Sequence, residues 1–227
     1  MNTTLTTPAT SNVSITIRRN TLIHGDCVQI MAHVPSRSVD FILTDPPYLI
    51  NYTSRDGRKV PNDNNAAWLK PAFCGMYRIL RDNSFCVSFY GYKHADKFIE
   101  AYRSAGFRIA GHFTFPKRYT SSKNFVRNQH ECAHLLVKGK PALPHHTIGD
   151  VIEWTYSGNK LHPTQKPVPI LLPLIETFCP PKGLVLDPFA GSGTTLLAAR
   201  MIGRSYLGME LDSNYHAIAT KRLEAFI

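Results

Sequence analysis

The chain has 227 residues, of which 43% are hydrophobic and 19% charged, and its formal net charge is +10. That is enough for one domain with a sizeable core, and no apolar run reaches the roughly 20 residues that a membrane-spanning helix needs. Five scattered cysteines without a C-x-x-C pair argue against a disulfide framework or a structural zinc site, and the positive charge favours a polyanionic partner.

Met1–Asn12 is rich in Thr, Ser and Asn and lacks a basic-plus-apolar leader pattern. It reads as part of a disordered tail over 1–17, and the protein as cytoplasmic. Leu22-Ile23 before His24-Gly25-Asp26 predicts a short strand ending in a polar turn. Val39–Leu43 is an apolar run of strand length, stopped at Thr44-Asp45-Pro46-Pro47 because proline cannot continue a ladder. Asn65–Leu80 has helical apolar spacing, Phe85–Phe89 predicts a buried strand, Ala95–Ala105 a helix and Phe107–Phe115 a strand. Leu135-Leu136-Val137 predicts a strand and Val168–Phe178 a helix. Gly183–Leu186, Thr194–Ile202 and Ser205–Leu207 then read as strand, helix and strand. Asp212 caps a last helix to Phe226.

This alternation predicts an α/β domain over 18–227 with a mostly parallel sheet, in which ligands sit beyond the carboxyl ends of the strands. The polar, irregular segments 49–64 and 116–160 read as insertions. Arg55, Arg58 and Lys59 fall in the first. Lys117, Arg118, Lys123 and Arg127 fall in the second, interleaved with Tyr119 and Phe125. Basic groups among aromatics suit phosphates and unstacked bases, so all of these, Tyr119 included, are candidate nucleic-acid contacts.

Two strand-following loops carry the chemistry. In Asp187-Pro188-Phe189-Ala190-Gly191-Ser192-Gly193-Thr194-Thr195, the glycines let backbone approach a ligand and the following helix favours an anionic group. Glu210, at the end of the next strand, suits a ribose diol. A phosphate-binding P-loop needs Gly-Lys-Ser/Thr, whereas Thr194 follows Gly193. A dinucleotide fingerprint needs a third glycine where Leu196 stands.

Asp45-Pro46-Pro47-Tyr48 is the more specific loop. A base amino group is a poor nucleophile because its lone pair is delocalised into the ring. A carboxylate at Asp45 and the Pro46 carbonyl can accept from that NH2 and aim the lone pair at an electrophile, while the prolines hold the acceptors ready. Tyr48 offers a face for an extruded base.

Together these loops resemble the β-class N6-adenine/N4-cytosine DNA methyltransferases, of the compact kind carried by phages and plasmids, over nearly all of 20–227. The resemblance implies a Rossmann-like methyltransferase fold with a seven-stranded sheet and helices on both faces. It implies S-adenosylmethionine as methyl donor and double-stranded DNA as substrate. His24-Gly25-Asp26-Cys27 resembles the family's early Gly-Asp element, implying that Asp26 and Cys27 contact the cofactor adenine. His162-Pro163-Thr164-Gln165-Lys166-Pro167 resembles the element before the cofactor loop, implying that Thr164 and Lys166 hold the methionine end. Asp187, Phe189, Gly191, Ser192, Gly193, Thr194 and Glu210 complete the implied cofactor set. The catalytic set is Asp45, Pro46, Pro47 and Tyr48. Cytosine members more often carry Ser where Asp45 stands, so the expected target is N6 of adenine, with N4 of cytosine the rival. Such enzymes often dimerise, and short insertions imply short or relaxed recognition.

His130-Glu131-Cys132-Ala133-His134 matches the H-E-x-x-H zinc pattern, which needs a helix. The following Leu135-Leu136-Val137 points to a strand, where residues four apart lie about 13 Å from each other, too far for one zinc. No metal is expected, and Glu131 and the histidines are expected to support the recognition region or the sheet edge. Cys179-Pro180 reverses the order of the C5-cytosine nucleophile. A non-catalytic nucleic-acid-binding protein would fit the charge but not the intact catalytic loop.

Overall fold

The computed structural model describes residues 18–54, 57–123, 125–156, 158 and 161–226. The predicted tail 1–17 and Arg55 lie outside them. Strands β1 (Thr21–His24), β2 (Val39–Thr44), β3 (Leu80–Tyr90), β4 (Arg108–Pro116), β7 (His130–Lys138), β8 (Leu184–Asp187) and β9 (Ser205–Glu210) form one sheet. Its order is β1-β9-β8-β2-β3-β7-β4, with β5 (Ser122–Lys123) and β6 (Arg127–Asn128) a separate hairpin. β7 runs antiparallel to both neighbours, and the other pairings are parallel.

The period of two in the buried strands sorts side chains into two apolar layers. Ile42, Cys86, Leu186 and Leu207 face α1 (Cys27–Ala32), α2 (Leu69–Ile79) and α3 (Ala95–Ala105). Phe41, Val87, Val185 and Tyr206 face α4 (Val168–Phe178), α5 (Thr194–Met201) and Leu223 of α6 (Ser213–Glu224). Helices thus cover both faces, as expected.

α3 and α4 span the expected residues, and Asp212 caps α6 by accepting from Asn214 and Tyr215 N–H groups. Three expectations need correction. The helix expected from Asn65 begins at Leu69, because the Asn65 side chain accepts from Ala67 N and the Trp68 indole donates to Asn62 O at 3.1 Å, holding a turn instead. α1 was not anticipated: two turns are too short for a periodic signal, although Asp26 caps it. The irregular stretch 116–160 contains core, since β7 lies within it between β3 and β4.

The strand order has one consequence for function. From β2 the chain moves to β3 on one side, and from β8 it moves to β9 on the other. The crevice between the carboxyl ends of β2 and β8 is therefore a topological switch point, where open α/β sheets bind ligands. Asp45 directly follows β2, and Asp187 ends β8.

Candidate active site

A single cavity at this crevice takes in Asp45–Tyr48 and every predicted cofactor residue except Gly193. Gly193 has φ +76° and starts α5, and a Cβ there would come within 3.0 Å of Ala219 Cβ. Its place is the turn and the packing of α5 on α6, not the cavity wall.

On the cofactor side, two acids stand at the ends of β8 and β9. Glu210 is buried and accepts from Gly191 N at 2.7 Å and Asp212 N at 2.8 Å, and burial raises its pKa. Each carboxylate oxygen keeps a lone pair for a hydroxyl. Asp187 accepts from Phe189 N at 3.1 Å, and burial pushes its carboxyl up to about 7, opposed by Thr195. Phe189 packs edge-on against Trp68, with centroids 5.0 Å apart. Asp26 uses Oδ1 to cap α1, accepting from Val28 N at 2.7 Å, with buried Cys27 beside it. Thr164 contacts the His162 ring, which packs at a tilt against Tyr215 with centroids 4.3 Å apart and whose pKa is driven down to about 4 by burial, so it is neutral. Ser192 and Thr194 are buried in the loop, the latter accepting from Arg222 at 2.9 Å.

The Asp187 shift has a testable sign. A carboxyl raised from roughly 4 in the unfolded chain to about 7 in the fold contributes stability that is full below the lower value. That contribution is lost as pH rises through the upper one. Asp187→Asn keeps an acceptor for Phe189 N and removes the buried charge. Its melting temperature relative to wild type is expected to rise between pH 5 and pH 8; an equal difference at both would remove the assignment.

On the catalytic side, Asp45 Oδ2 accepts from Lys166 Nζ at 2.6 Å and Oδ1 lies 2.9 Å from the Tyr48 hydroxyl. Burial raises the Asp45 pKa and Lys166 opposes the rise. Lys166 is itself buried, 4.9 Å from the Phe89 ring centroid and 5.2 Å from that of Tyr48. Its partner here is thus the catalytic loop rather than a group at the cofactor end. Burial and the neighbouring acids hold the Tyr48 pKa well above its usual value, so the hydroxyl stays protonated.

The predicted nucleic-acid contacts divide. Lys59, Arg118 and Arg127 are exposed, and Arg58 and Tyr119 are half-buried. Arg118 pairs with Glu153 at 2.9 Å. Lys123 lies on β5, and its side chain is outside the described set. Lys117 is corrected: its side chain is only 5% exposed, ion-paired with Glu131 and 4.8 Å from the Trp154 ring centroid. A cation so enclosed cannot meet a phosphate.

Glu131, expected to support the recognition region or the sheet edge, does not stand at the edge. β7 is an interior strand, and Glu131 Oε2 lies 3.2 Å from the Tyr48 hydroxyl. The strand expected in place of a zinc-binding helix is present, with His112 and His134 directly paired across β4 and β7. Gly91 had no motif to mark it. A Cβ there would come within 2.8 Å of Tyr48 Cβ, so only glycine lets the ring lie against the end of β3.

The fold and the paired loops are those of an amino-methylating enzyme, and comparison with known proteins agrees. A DNA methylase family model, that of the N6/N4 methyltransferases, matches residues 39–221. The chain is 51% identical over 203 residues to the Escherichia coli protein YubD, covering 89% of each. It is 26% identical to the E. coli DNA adenine methyltransferase YhdJ, over 90% of this chain and 82% of that one. Among solved structures, M1.HpyAVI in complex with SAM superposes with a TM-score of 0.72 at 24% identity, over 89% of this chain and 98% of that one. The cytosine-N4-specific PvuII DNA methyltransferase gives 0.74 at 18%, over 93% and 88%. The structural likenesses establish the fold. The chain belongs to the N6/N4 DNA methyltransferase family.

Proposed function

We propose that this protein transfers a methyl group from S-adenosylmethionine to N6 of adenine in double-stranded DNA, by direct displacement on a base turned out of the duplex. The observation that carries the reading is Asp45: a half-buried carboxylate held by Lys166 and Tyr48 in the cavity that also contains Asp187 and Glu210. The cavity residues fit the methyl donor. Glu210 would take the ribose hydroxyls, Asp26 and Cys27 the adenine, Phe189 its face, and Thr164 the amino-acid end. The donor supplies a sulfonium methyl that is already a good electrophile.

The chain's own contribution is orientation. Each Asp45 oxygen has two lone-pair sites and one present partner, so the carboxylate can accept from a base NH2 without losing Lys166 or Tyr48. Pro46 and Pro47 hold the loop for that contact, and enclosure strengthens it. Aspartate rather than serine at this position favours adenine over cytosine. The name of YhdJ, DNA adenine methyltransferase, points the same way. Lys59, Arg118 and Arg127 would meet phosphates, with Arg58 and Tyr119 nearer the bases.

Incubation with DNA and labelled S-adenosylmethionine, followed by hydrolysis to nucleosides and mass spectrometry, tests the reading. N6-methyldeoxyadenosine is the expected product. N4-methyldeoxycytidine would overturn the base assignment, and no labelled nucleoside would overturn the activity.

A further inference from the structure

Behind Tyr48 two ion pairs, Lys117–Glu131 and Lys166–Asp45, meet at the Tyr48 hydroxyl. Of these groups, Asp45 and the face of the Tyr48 ring are the parts expected to meet the target. We propose that Glu131 is a positioning residue that fixes the Tyr48 ring, and through it the acceptor face of Asp45, for the incoming base. This rests on the reading that the base is received at Asp45.

The geometry carries it in three steps. First, the Glu131–Lys117 pair is largely buried, with side-chain exposures of 20% and 5%. Buried pairs are weak sources of net stability, since desolvation offsets the attraction, so the pair needs another explanation. Second, the Tyr48 hydroxyl has one proton, shared between Asp45 Oδ1 at 2.9 Å and the remaining oxygen of Glu131, Oε2, at 3.2 Å. Gly91 closes the opposite side of Tyr48 at its Cβ. The aromatic side chain is thus held at both ends, and removing Glu131 leaves Asp45 alone to direct the hydroxyl. Third, Lys117 N donates to Gln129 O at 2.6 Å, so the ion pair sits at the root of the β5–β6 hairpin. That hairpin leaves the sheet from the end of β4, the same edge from which Asp45 leaves β2. Glu131 therefore ties the catalytic loop to a segment that exposes Phe125, Val126 and Arg127.

A double-mutant cycle tests this. Glu131→Ala alone would leave Lys117 buried without a counter-charge, so the cycle is run in a Lys117→Met background that keeps the stem and removes the charge. There Glu131→Ala is expected to lower kcat by about tenfold, as loss of orientation does, with S-adenosylhomocysteine affinity unchanged within about twofold. Tyr48→Phe, which keeps the ring and removes the hydroxyl, should lose a similar factor, and the combined variant no more than either. Glu131→Gln, which still offers an oxygen to Tyr48, should retain more activity than the alanine variant. Unchanged kcat, losses that multiply, or an equal loss of cofactor affinity would each overturn the role. Failure of the underlying reading would show separately, as turnover surviving Asp45→Ala.

Discussion

Asp45→Ala is expected to lower kcat by about a thousandfold or more, at the upper end of what removing one preorganised electrostatic group does. Two losses combine. The base amino group loses its carboxylate acceptor, and Lys166 and Tyr48 lose the group that aligns them. The variant also leaves the Lys166 ammonium buried and unpaired, which destabilises by about 3 kcal/mol. Turnover is therefore measured well below the melting temperature, beside Asp45→Asn, which keeps the shape and one acceptor. Affinity for S-adenosylmethionine, read by calorimetry, is expected to survive because Glu210, Asp26 and Phe189 are untouched. Turnover like wild type would remove Asp45 from the chemistry.

Glu210→Ala is expected to weaken S-adenosylmethionine binding by about a hundredfold, which corresponds to roughly 3 kcal/mol. The carboxylate is expected to do more than face a ribose. It accepts from both Gly191 N and Asp212 N, and so joins the cofactor loop to the start of α6. Removing it orphans two backbone donors in a buried place and loosens the loop that should grip the ligand. Glu210→Gln, which keeps one acceptor, should fall between. Calorimetric titration with the cofactor checks this, and unchanged affinity in the alanine variant would place the ribose elsewhere.

How far these sites were legible before the structure depended on the kind of signal. α3 and α4 were readable because eleven-residue helices carry several turns of apolar spacing. α1, at six residues, does not. The boundary of α2 moved because side-chain hydrogen bonds at Asn65 and Trp68 compete with the helix, and spacing is blind to such local competition. The two motif loops were legible because proline and glycine restrict or free the backbone wherever they stand. Lys117 was misread, since a charged side chain in a polar stretch ordinarily faces water, and only a partner across the sheet draws it inside; the contact of Glu131 with Tyr48 had no local signal.

The sequence by itself determined the chemistry on offer: an acid between a buried strand and two prolines, a glycine turn opening a helix, and a second acid one strand later. These are local properties of residue type and spacing. Only the tertiary structure decided that they act together. Lys166 and Asp45 stand 121 residues apart and meet at 2.6 Å because α4, which begins two residues after Lys166, packs over β2 and β3. It likewise decided that Lys117 belongs to Glu131 and Tyr48 rather than to solvent. Hydrogen bonding between strands distant in the chain, and the burial that follows, assign a charge its partner, and no local pattern records that.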